Sequence, residues 1–93
     1  MVVGTVEIRM LIRWAQSLKD KRRAILSLKD RIRNEFDVAV AEVDRQDAIK
    51  EAVFGVAAVG PDPGPVERVL QSVVGFVRRD RDVELVDFQL EWR

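Results

Sequence analysis

The chain has 93 residues, 47% hydrophobic and 34% charged, with 16 basic and 16 acidic side chains and no net charge. That is the composition of one globular domain, residues 1–93, in which burial of about 60–65% of the unfolded surface allows a core without staples. Balanced charge argues against a protein whose main task is coating nucleic acid, and a chain without Cys, His or Tyr excludes disulfides, thiolate zinc sites, thiol nucleophiles and imidazole acid–base chemistry.

The N-terminus, Met1 to Glu7, carries no basic region or apolar run of signal-peptide length. No stretch approaches the roughly 18 apolar residues of a membrane span, so a cytoplasmic protein without membrane contact is expected. Arginine outnumbers lysine, and Asn34 is the only asparagine. A thermophilic source or a GC-rich genome explains that bias equally well.

Residues 2–13 read as a strand, with Val6, Ile8, Met10 and Ile12 alternating with Glu7, Arg9, Leu11 and Arg13. Ser17 is a good N-cap, and Asp20 three residues on forms a capping box with a shortened acid. Leu18, Ile25, Leu28, Ile32 and Phe36 then fall on one helical stripe, predicting a helix from about 18 to 35 that ends near Asn34. Residues 37–43 read as a second strand and 52–60 as a third, apolar on both faces, with Gly55 permitting a close approach. The Pro61–Pro65 stretch is a break. Asp62 as N-cap with Pro63 first, or a start at Pro65, opens a second helix to about 79 through Val66, Val69, Leu70, Val73, Phe76 and Val77. Asp80 to Asp82 turn the chain into a last strand, 83–92, with Val86, Phe88, Leu90 and Trp92 on its core side. The order β-α-β-β-α-β with right-handed crossovers predicts an α+β, ferredoxin-like sandwich: a four-stranded antiparallel sheet in order 4-1-3-2, helices on one face.

Two stretches resemble a known family. Ser17-Leu18-Lys19-Asp20-Lys21-Arg22-Arg23 opens the first helix, and Val40-Ala41-Glu42 is followed by Gln46 and Asp47. Together, and along essentially the whole chain, they resemble the small bacterial DUF503 (YlxP-like) proteins. The resemblance implies a ferredoxin-like fold. It also implies a setting in translation and ribosome maturation, near whose factors members are often encoded. It specifies no reaction, and this fold hosts many functions.

The sharpest chemical signal lies on the first helix. Lys19, Arg22, Arg23, Leu26, Lys29 and Arg33 sit at i, i+3, i+4, i+7, i+10 and i+14, which keeps them on one side. Residues 17–36 hold seven basic and three acidic groups, and residues 37–51 hold five acidic and two basic, so zero net charge conceals a polarised chain. The functional reading is a phosphate-tracking face; the plain one is a solvated helix partly paired by Asp20, Asp30 and Glu35. The helix start, with Ser17, Lys19 and Lys21, is a candidate anion site. Glu42, Asp44 and Asp47 form an acidic cluster, read as an interface loop or a partner for the basic helix. Stacking of bases on the sheet is not expected, since the polar face of the first strand has no aromatic residue. The mixed charges of that face, Glu7, Arg9, Arg13, Asp87, Gln89 and Glu91, suit either solvent or a two-fold dimer. Trp14, in the loop before the helix, is either a cover over the core or an exposed anchor.

The expectation is a non-enzymatic interaction protein without cofactor, metal or catalytic residue. Ser17, Lys19, Lys21, Arg22, Arg23, Lys29 and Arg33 would meet phosphates of a ribosomal subunit or structured RNA. Trp14, Glu42 and Asp47 would shape a partner interface. The alternative is a homo-oligomeric module for an anionic metabolite or a protein.

Overall fold

The structure, a computed structural model, describes residues 1–93. Its elements are β1 (Val2–Leu11), α1 (Leu18–Glu35), β2 (Ala39–Asp44), β3 (Glu51–Gly60), α2 (Pro63–Arg78) and β4 (Glu84–Trp92). The strands form one antiparallel sheet in the order β2-β3-β1-β4, the expected ferredoxin-like order read from the other edge. No helix is long and apolar enough to cross a membrane.

The two periodicities meet in one core. From β1, Val6, Ile8, Met10 and the following Ile12 point inward; Ala52, Phe54, Val56 and Ala58 of β3 join them. Ala24, Ile25, Leu28 and Ile32 of α1, and Val66, Leu70, Val73, Val74 and Val77 of α2, close the layer above. Phe36 and Phe76 meet edge to face at 5.6 Å where the two helices adjoin.

The helix starts follow the sequence signals. Ser17 Oγ accepts from the Asp20 amide at 3.1 Å, and the Asp20 carboxylate accepts from the Gln16 amide at 3.0 Å, one residue before the box partner. Asp62 precedes Pro63 at the start of α2, the earlier of the two expected starts, without a side-chain cap bond. β1 ends at Leu11 rather than residue 13. Ile12 nevertheless donates to the Lys50 carbonyl at 2.8 Å and stays buried.

β4 departs from its simple alternation. The register against β1 shifts between Arg9 and Met10, so Met10 faces Leu85 and Arg9 faces Asp87, leaving Val86 in a bulge. Leu85 therefore takes the inner place expected for Val86, which is exposed. Trp92 keeps the inner side but lies at the sheet's end opposite Gly4, where it is 44% exposed rather than in the core. It is Gly4 that makes room there: a Cβ would come within 2.9 Å of Leu70 and Val66 and 3.1 Å of Trp92. The outer surface at Gly55 is likewise taken, by Val43, whose Cγ1 would lie 2.8 Å from an added Cβ.

Candidate nucleic-acid interface

The basic helix is sorted by its own geometry into exposed, unpaired cations and cations engaged within the fold. Lys19, Arg22 and Arg23 are exposed, Lys29 is half-buried, and none forms an ion pair. The helix's carboxylates do little to neutralise them. Asp20 is spent on its cap, and Glu35 at the far end makes no ion pair. Arg31 turns to the other flank and pairs with the nearly buried Asp80 at 2.7 Å. Arg33 remains exposed, but its guanidinium donates to the Val40 carbonyl on the outer edge of β2 at 3.2 Å. One of its donors is therefore engaged in covering that edge.

Lys21 does not belong to the exposed face. It is 1% exposed and lies on the core side of α1. Its ammonium donates to the carbonyls of Arg45 at 2.6 Å and Ala48 at 2.7 Å, and stands 2.9 Å from Glu42 Oε2. That last approach is a charge contact without an aligned hydrogen bond, since Oε2 is buried and accepts none. A buried ammonium persists only when paired and hydrogen-bonded, and here α1 meets that need through the β2–β3 loop. The loop in turn holds Arg45 at φ 61, a left-handed conformation uncommon outside glycine. Its amide donates to Asp44 Oδ1 at 2.7 Å.

The expected anion site at the helix start is not assembled. Lys21 points inward, Ser17 Oγ is committed to the Asp20 amide, and the Asp20 carboxylate would repel an anion there. Nor do Glu42, Asp44 and Asp47 converge. Glu42 turns inward to Lys21, Asp44 caps the Arg45 amide and Asp47 is exposed, and no three acidic groups are placed to share a metal ion. Lys50 completes the framework, donating to the carbonyls of Arg13 and Ala15 at 2.7 and 2.6 Å. Trp14 is 47% exposed, while its indole N–H donates to the Asp82 carbonyl at 2.9 Å, tying the loop before α1 to the turn before β4.

Between α1 and β2 the basic face opens into a cleft of about 230 Å³ lined by Arg22, Ile25, Leu26, Lys29, Glu42 and Phe54. Sequence spacing placed Arg22 and Lys29 on one side of the helix. The carboxylate facing them comes from the neighbouring strand, which a helical wheel does not show. On the opposite, open face of the sheet, charges pair within one chain: Arg9 with Asp87, Arg13 with Glu84 and Arg93 with Glu91. The hydrogen bond and then the charge of Arg13 hold the Glu84 carboxyl below its ordinary value. Beside these pairs, Ala39, Ala41, Val43, Gly55 and Ala57 line a shallow apolar groove of about 330 Å³.

Fold and surface define a small α+β sandwich whose helical layer, not its sheet, carries the unpaired positive charge. The comparisons name its family. The profile described as "Protein of unknown function (DUF503)" matches residues 3–90. A relative from Bacillus subtilis (strain 168), "Uncharacterized protein YlxP", is 32% identical over 91 residues, covering 98% of this chain and 99% of that protein. The chain belongs to the DUF503 family.

Proposed function

We propose that this protein is a non-catalytic RNA-binding accessory factor that tracks phosphates with the outer face of α1. The observation that carries the reading is the set of four unpaired cations, Lys19, Arg22, Arg23 and Lys29, on one side of a helix where Asp20, Lys21, Arg31 and Arg33 are engaged within the fold. Arg33 extends the row. The absence of His, Cys and Tyr favours binding over catalysis, and the resemblance to proteins encoded near ribosome-maturation factors favours structured RNA as the polyanion.

The test is co-sedimentation with ribosomal subunits and with free structured RNA at 50 and 200 mM salt. Four phosphate contacts give a slope of about −2.8 to −3.6 in log affinity against log salt, so affinity should fall roughly 50- to 150-fold over that range. Arg22→Glu with Lys29→Glu, shown to fold by circular dichroism, should abolish binding. Failure of the wild type to bind at 50 mM salt would refute the reading.

A second reading rests on the apolar groove over β2 and β3. Val43 is 48% exposed and Val59 62%, two large apolar side chains open to solvent beside the groove. A second copy stacking there would appear as a dimer in sedimentation equilibrium, lost in Val43→Lys.

A further inference from the structure

We infer that the cleft between α1 and β2 is a nucleobase pocket, which receives one unstacked base carrying an exocyclic amine while the cations around it hold the adjoining phosphates. This rests on the RNA reading above and specifies which part of the RNA is read. The cleft's volume, about 230 Å³, is below the range of about 300–1,000 Å³ typical of drug-sized ligands and suits a single ring system. Ile25 and Phe54, 5% and 0% exposed, form its buried apolar side, and Leu26, 51% exposed, stands at its mouth. Ile25 and Phe54 close the floor from beneath, Leu26 offers the exposed apolar contact for a planar ring, and the guanidinium of Arg22 can stack on it as arginine does on splayed RNA bases.

The selective group is Glu42. A carboxylate only accepts hydrogen bonds, so it is out of place as a phosphate ligand. Its Oε2 is buried against Lys21, which fixes the side chain from behind, and no group of the chain donates to either oxygen in an aligned hydrogen bond. Oε2 is closed off by Lys21, so an N–H donor entering the cleft would meet the part of the carboxylate that stays exposed. Cytosine and adenine supply one through their exocyclic amines, as does guanine. Uracil presents its single ring N–H between two carbonyl oxygens, whose lone pairs oppose the carboxylate. With Arg22 and Lys29 on the same wall, a base that donates to Glu42 brings its own phosphates to the two cations.

The test uses the intact protein and fluorescein-labelled decauridine RNA, either unmodified or with one central C, A or G, at 50 and 200 mM salt. The three substituted decamers should bind about tenfold more tightly than decauridine, the effect of one hydrogen bond to a charged group. The preference should shrink to within twofold in Glu42→Gln, whose amide can also donate to uracil. Leu26→Ala, at an exposed position, should reduce the preference without altering the salt slope, and it carries the test should the Glu42 variant fail to fold. Equal binding of all four decamers with a steep salt slope would overturn the pocket and leave the RNA reading standing. No binding of any decamer, by a protein that also fails to sediment with structured RNA, would overturn both. Free cytidine monophosphate binding as tightly as the cytosine decamer would overturn the assignment to RNA.

Discussion

Replacing Lys21 by Met should be among the costliest single changes in this protein. The thioether fills the same channel through the core side of α1, but it leaves two loop carbonyls without their donor and Glu42 Oε2 without its cation. Removing one partner of a buried pair costs about 3–5 kcal/mol. Glu42 retains 21% side-chain exposure and can relax toward solvent, which places the expected cost at the low end, about 3 kcal/mol. Against the roughly 5–14 kcal/mol expected for a 93-residue domain, that is a large share. With a urea dependence near 1 kcal/mol/M, the unfolding midpoint should fall by about 3 M. Glu42→Gln alone should cost less, because the ammonium keeps its two carbonyls and an amide oxygen stands in for the carboxylate. In the double variant the orphaned carboxylate is gone, so the cycle should return a coupling of about 1–2 kcal/mol. Amide exchange at Ala48, whose N–H donates to the Arg45 carbonyl within the loop, should accelerate in Lys21→Met. A cost under about 1 kcal/mol, or a cycle that is additive within about 0.5 kcal/mol, would refute the reasoning.

Gly4→Ala should destabilise by about 1–3 kcal/mol through overpacking, since the new methyl meets Leu70, Val66 and Trp92 at once; urea unfolding measures it. Asp80→Ala should cost about 1.5–3 kcal/mol. It removes the Arg31 pair and the acceptor for the Asp82 and Val83 amides, and a second change, Arg31→Ala, should add little on top. Glu84 should titrate below an ordinary carboxylate, because Arg13 donates a hydrogen bond to it and then adds its charge. A depressed folded value means the pair's contribution is present above the unfolded pKa and is lost as pH falls through the folded one. Arg13→Gln should move the Glu84 midpoint upward in a carboxyl NMR titration. Because both side chains are exposed, 1 M salt should weaken the effect.

What the sequence made legible was whatever depends on local periodicity. The stripe Ile25, Leu28 and Ile32, the alternation Val6, Ile8, Met10 and Ile12, and the Ser17 cap all appear where spacing puts them. Lys21 was equally legible in principle. It stands four, seven and eleven residues before Ile25, Leu28 and Ile32, within the apolar stripe, and its charge outweighed its position. The carbonyls that accept from it lie 24 and 27 residues away, beyond any helical pattern. The bulge at Val86 was hidden for a related reason. One extra residue reverses sidedness, and the alternation Val86, Phe88, Leu90, Trp92 is unbroken in sequence while only Phe88 and Leu90 are half-buried and packed on the core. The exposed cations were legible as a row; Glu42 facing them across the cleft required the sheet.

Lys21 and Glu42 also link the fold to the surface that α1 presents. The ion pair fixes the β2–β3 loop and the orientation of the carboxylate at the cleft, so changes there should affect stability and binding together. Lys19, Arg22 and Arg23 are exposed and unpaired, and charge changes at such positions usually stay within about 0.5 kcal/mol. The two effects therefore separate by position on a single helix. Reversal of Arg22 and Arg23 should leave the urea midpoint almost unmoved while removing RNA affinity. If that reversal instead unfolded the protein, the row would be part of the scaffold, and the reading of it as a free phosphate-binding surface would fail.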